Sequence, residues 1–250
     1  MVHWLSSRFF FPLAAMSAVA MLLFGAWREL IGPWTGPRLH LNLFLAWVPY
    51  LIALAAVRVQ QRRPNSPWLF KLMFVAWFFF FPNAPYLVTD WRYLPGWTNE
   101  LWYSVVMMTA FSLCGLMLAA VSLYLVHTLV NVRLSRTVGN VVAASAIGLS
   151  GLGVYLGRFL RLNTWDLFTQ PGQVLADVEK AFREHPNHMG PVGFSILFTL
   201  VLGSLYYTCL ELRHAHWSRE ELRAWKPPIR LPRDYDDRDA DDDWDASAAR

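Results

Sequence analysis

Two aspartates, two arginines, three asparagines and two tyrosines fall in three short stretches of this chain. They are Asn42; then Asn83, Tyr86 and Asp90; then Tyr155, Arg158, Arg161, Asn163 and Asp166. Asp90 and Asp166 could carry general acid–base chemistry, because a carboxyl group in a low-dielectric site can keep its proton. They are the candidate catalytic residues. Arg158 and Arg161 are three apart on one helical face, and a guanidinium grips phosphate or carboxylate with a two-point fork. Together with Asn42, Asn83, Tyr86, Tyr155 and Asn163 they are the candidate substrate-binding residues. This chemistry suits a lipid headgroup or a lipid-linked phosphate, and it equally suits simple anion binding. There is no G-x-S-x-G elbow, phosphate loop, or Ser or Cys in a turn context to serve as a nucleophile. No cofactor and no metal are expected, since nothing has the spacing of Cys-x-x-Cys or His-Glu-x-x-His. His185 and His188 flank Pro186 in a loop, and His40 could add an acid or base at a span edge.

Each of these residues also has a plainer use. Arginines at the end of a membrane span snorkel to headgroups. Asp90 or Asp166 could be the structural partner of Arg158, which would leave Arg161 for an anion. Asn83 could hydrogen-bond the turn made by Pro82 and Pro85. Together they exceed what a helix end needs, and ionisable groups inside a membrane protein point to function by default.

The elements that must position them are membrane helices. The chain is 55% apolar and 16% aromatic over 250 residues, with mean hydropathy +0.29, which is a polytopic membrane composition. The predicted fold is all-α, a transmembrane bundle with spans near 9–27, 40–57, 67–83, 102–126, 140–160 and 191–212, each long enough to cross a bilayer. Pro49 interrupts the second span, and Phe78-Phe79-Phe80-Phe81-Pro82 closes the third. Threading six spans brings the start of span two and the ends of spans three and five to one face. The formal charge of +4 comes from basic residues flanking apolar runs, so it sets orientation rather than nucleic-acid binding. Eleven Lys and Arg fall on one side of the threading and seven on the other. The bias places both termini in the cytoplasm and the polar residues at the non-cytoplasmic face.

Span four aligns Ser112, Gly115, Ala119 and Ser122, and span five carries Gly139, Ala143, Gly148, Gly151 and Gly153. These small faces predict contact between the two spans and offer a surface for a protein partner. Cys114 and Cys209 lie in apolar runs as small packing residues. Residues 173–182 read as an amphipathic helix on the membrane surface. Residues 213–250 form a cytoplasmic tail: Ser218-Arg219-Glu220-Glu221 opens a short helix, and the acidic run from Asp234 is expected to be disordered. Asp237, Asp239 and Asp241 do not make a calcium loop, because Asp242 stands at the turn glycine and Ala248 at the bidentate glutamate.

Three motifs carry a resemblance. They are Asn42-Leu43-Phe44-Leu45-Ala46-Trp47-Val48-Pro49, Phe81-Pro82-Asn83-Ala84-Pro85-Tyr86-Leu87-Val88-Thr89-Asp90, and Gly157-Arg158-Phe159-Leu160-Arg161-Leu162-Asn163-Thr164-Trp165-Asp166. Over roughly residues 35–212 the chain resembles the uncharacterised bacterial membrane proteins of domain-of-unknown-function family 1361, with Thr164 where that pattern has serine. The resemblance implies a multi-pass protein of the bacterial inner membrane and brings no established activity. Three functional classes follow: an enzyme or binder for an anionic lipid or lipid-linked substrate, a transporter or channel component, and a non-catalytic assembly partner. Membrane lipids are the expected surroundings in all three.

Overall fold

The computed structural model describes residues 2–32, 36, 38–63, 66–94, 101–160, 169–184 and 191–214. Among them are seven α-helices: α1 (Val2–Leu30), α2 (Leu39–Arg62), α3 (Pro67–Phe80), α4 (Leu101–Arg133), α5 (Arg136–Phe159), α6 (Pro171–Glu184) and α7 (Pro191–His214). A 3₁₀ segment, Phe81–Asn83 and Pro85–Tyr93, follows directly on α3. Met1–Glu211 packs as one unit; of the second, Leu212–Arg250, only the end of α7 is described. The acidic tail and the helix expected at Ser218 lie outside the described residues.

Among the described residues, six stretches are long and apolar enough to span a membrane: Phe9–Leu30, Leu39–Arg62, Pro67–Tyr93, Leu101–Arg133, Arg136–Phe159 and Pro191–Glu211. The fold is an all-α, polytopic helical bundle, as the apolar runs predict. Two expectations need correcting. Pro49 does not interrupt α2, which runs unbroken through it; a proline removes one backbone bond, and the packed neighbours hold the helix together. The third span does not stop at Asn83 but continues as 3₁₀ helix to Tyr93.

At the centre lies α4, apolar nearly all round as a surrounded helix should be. It packs against α1, α2, the 3₁₀ segment and α5, and Met107, Phe111, Leu118 and Leu123 are fully buried in it. Lipid supplies no hydrophobic drive between helices, so close packing and interhelical hydrogen bonds hold them. The Trp77 Nε1–H donates to Ser122 Oγ at 2.7 Å and the Trp91 Nε1–H to Ser112 Oγ at 2.8 Å. On the opposite flank, the Tyr103 hydroxyl donates to the Leu23 carbonyl at 2.8 Å. Bonds of this kind contribute on the order of 1 kcal/mol each in a membrane.

Spans four and five do touch, but the small stripe of α4 faces elsewhere. Ser112 and Ser122 receive the two tryptophans, and a methyl group at Gly115 would lie 2.5 Å from the Ala84 carbonyl oxygen. That stripe therefore seats α3 and the 3₁₀ segment. On α5, Gly139 meets Asn131 and His127 of α4, Gly153 meets Pro82, and Gly151 meets Ser195 of α7.

Helix α6 is amphipathic, with Val174 and Ala181 buried. Leu175, in the same stretch, is exposed.

Candidate functional site

The site begins with the register of the 3₁₀ segment. Three residues per turn bring side chains at i and i+3 into line. Phe81, Ala84, Leu87 and Asp90 are accordingly all buried, at 1%, 0%, 0% and 0% exposure. An α-helix would rotate Asp90 about 180° away from Phe81 over those nine residues. Runs of 3₁₀ helix beyond three or four residues are uncommon, and local chemistry supports this one. Pro82 and Pro85 have no N–H to place in an α-helical ladder. The Asn83 amide donates to the Phe80 carbonyl at 3.0 Å, and the Thr89 hydroxyl to the Tyr86 carbonyl at 2.7 Å. The missing side chain of Gly115 lets the segment lie directly on α4.

Asp90 ends the buried line, and three elements meet on it. From the first turn of α2, the Asn42 amide donates to Asp90 Oδ2 at 3.0 Å. From the last turn of α5, Arg158 Nη2 forms a hydrogen-bonded ion pair with Asp90 Oδ1. Arg158 Nε donates to Thr89 Oγ1 at 2.8 Å. The guanidinium also lies over the rings of Tyr86 and Tyr93, at 4.5 and 5.2 Å, an attraction that strengthens away from water. Arg158 and Asp90 are both buried. Desolvating both charges offsets much of their attraction, but removing one partner strands the other, at a cost of about 3–5 kcal/mol. The pair is therefore a clamp across α2, the 3₁₀ segment and α5.

Beside the clamp is a cleft of about 380 Å³. Asn42, Asn83 and Tyr86 line one end of it. Phe78, Phe79 and Leu45 continue the wall below them, α5 contributes residues from Gly157 down to Ala146, and Val174 of α6 completes the lining. No charged side chain is on that lining among the described residues. Arg158 and Asp90 stand behind it, linked to it through Asn42 and Tyr86.

A family model described as Protein of unknown function (DUF1361) matches residues 41–205. The chain belongs to this family. No curated protein and no solved structure matches it. Membership and the six apolar helices together make the chain an integral, multi-pass membrane protein. The family match takes in Asn42, the 3₁₀ segment, Arg158 and the whole cleft lining, while α1 lies outside it.

Of the residues singled out in the sequence, Asn42, Tyr86, Asp90 and Arg158 come together in the family's matched region, and Asn83 lies on the adjoining wall. Tyr155 does not join them. It is buried against Phe159 and Phe194, with ring centroids 4.7 and 5.9 Å away. His40 is exposed, with its ring stacked beside Phe24 at 6.1 Å. Arg161, Asn163, Asp166, His185 and His188 lie outside the described residues. Among the described residues, no three His, Cys, Asp or Glu gather as a metal would need. Sequence reasoning missed Thr89, Tyr93 and Ser150. The first had a signal: Pro82 and Pro85 are three apart, and so are Asn83, Tyr86 and Thr89.

Proposed function

We propose that the cleft binds an amphiphilic lipid or lipid-linked molecule, with its polar end at Asn42, Asn83 and Tyr86 and its apolar end along α3 and α5. The observation that carries this reading is the polarity gradient of one cavity: amides and a phenol at the end where α2 begins, and phenylalanine and leucine along its length. Arg158 is not the receptor for an anionic headgroup in this reading, because Asp90 already compensates its charge. An anion falls instead to Arg161, and acid–base chemistry to Asp166, while Asp90 acts as a positioning residue. The Lys and Arg asymmetry favours a polar end at the non-cytoplasmic face with both termini inside, and the family resemblance favours a bacterial inner membrane.

The test is mass spectrometry of lipid retained by the full-length protein after gentle extraction. Wild type should carry bound lipid. Leu156→Trp, which fills the cleft, should lose it. Tyr86→Phe keeps the ring under Arg158 but removes a hydroxyl from the polar end, and should retain severalfold less. Arg161→Ala should reduce the anionic share. Wild-type protein free of lipid, or variants with the wild-type complement, would refute the reading.

A further inference from the structure

We propose that the cleft holds a single apolar chain rather than two, and that Ala146 and Ser150 of α5 set the longest chain it accepts. The inference rests on the lipid reading above and narrows it to a ligand class. A volume of about 380 Å³ is at the small end of the range for ligand cavities, roughly 300–1,000 Å³. The α5 wall from Gly157 down to Ala146 is about 17 Å long at 1.5 Å per residue. The hydrocarbon core is about 30 Å thick, so the cleft is one leaflet deep. A chain whose head sits at Asn42, Asn83 and Tyr86 would end near the bilayer midplane.

The entry and the floor are both visible. Phe79 on α3 and Leu149 on α5 line the cleft and are exposed. The cleft therefore opens sideways between these helices, and a chain can slide in from the leaflet without crossing water. Ala146 is the deepest α5 residue on the wall, and Ser150, one turn above it, turns its hydroxyl back onto the Ala146 carbonyl at 2.6 Å. That bond places the hydroxyl proton within its own helix, and both residues are buried, so they close the deep end without offering a chain a free donor.

The experiment titrates full-length, delipidated protein with lysophosphatidylglycerols of increasing chain length and with diacyl phosphatidylglycerol, read by native mass spectrometry. Affinity should rise about fourfold per added methylene and then reach a plateau. The diacyl lipid should bind no tighter than the lysolipid of equal chain length. Ala146→Phe should move the plateau to chains shorter by about 5 Å, one helical turn. Leu149→Trp, at an exposed position that spares the packed core, should shift it in the same direction, and it decides the matter if Ala146→Phe fails to fold. A series that climbs with no plateau, a plateau unmoved in folded variants, or tighter diacyl binding overturns this inference and leaves the lipid reading standing. Binding of no member of the series overturns both.

Discussion

Asp90 is the residue on which the site's geometry turns. Both of its oxygens are occupied, one by Asn42 and one by Arg158. Hydrogen bonds to a charged acceptor contribute about 1.5–3 kcal/mol, so Asn42→Ala should lose that much, as a lower unfolding midpoint in detergent. Arg158→Lys keeps the charge facing Asp90 but gives up the Nε bond to Thr89 and the flat face over Tyr86 and Tyr93. Arginine and lysine differ in just these respects, and a loss of about 1–2 kcal/mol, close to that of one or two hydrogen bonds, is expected. Part of this was legible in the residues alone. Alternate threading of six spans is enough to bring Asn42, Asp90 and Arg158 to one face. Which carboxylate meets Arg158 was not legible, because Asp90 and Asp166 follow spans on the same side and their approach depends on backbone geometry that hydropathy does not encode.

The 3₁₀ segment is the element that turns a helix end into a site. It aligns Phe81, Ala84, Leu87 and Asp90 inward and leaves Asn83, Tyr86 and Thr89 on the side of the cleft and Arg158. Gly115 is its seat. Gly115→Ala would place a methyl group 2.5 Å from the Ala84 carbonyl oxygen and 2.9 Å from Leu87 Cβ, and overpacking of this kind costs about 1–3 kcal/mol. Gly148→Ala, inside α5 and meeting nothing within 4 Å, is the matched control and should leave stability unchanged or raise it by up to about 1 kcal/mol, since alanine is the better helix former. Thermal unfolding of the two variants side by side checks both. The small stripe of α4 was legible as a place of close approach, but small residues do not say what approaches. The partner proved to be the segment after α3, whose Ala84 carbonyl and Leu87 side chain lie against Gly115.

Across the whole molecule, packing falls off from the centre outward. Helix α4 is surrounded, whereas α7 shows a largely exposed apolar surface. What ties α7 to the rest includes the Tyr206 hydroxyl on His127 Nδ1 at 2.7 Å, with His127 Nε2 in turn on Asn140 Oδ1 at 3.0 Å. Tyr206→Phe should therefore loosen α7 before any other span, seen as faster amide exchange there and an unchanged rate in α4. The six spans were legible because long apolar runs are the strongest signal a bilayer imposes on sequence. The cleft was not, because it arises between helices from the spacing of Phe78 and Phe79 against α5. The end of α5 is joined to the 3₁₀ segment by the buried ion pair, with α2 held to the same aspartate through Asn42, and a double-mutant cycle on unfolding in detergent measures the ion-pair joint directly. Asp90→Leu and Arg158→Leu should each cost about 3–5 kcal/mol, and the double variant should cost clearly less than their sum, with a coupling of about 2 kcal/mol or more. Additive losses would contradict the clamp, because they would mean that neither charge depends on the other for its place in the bundle.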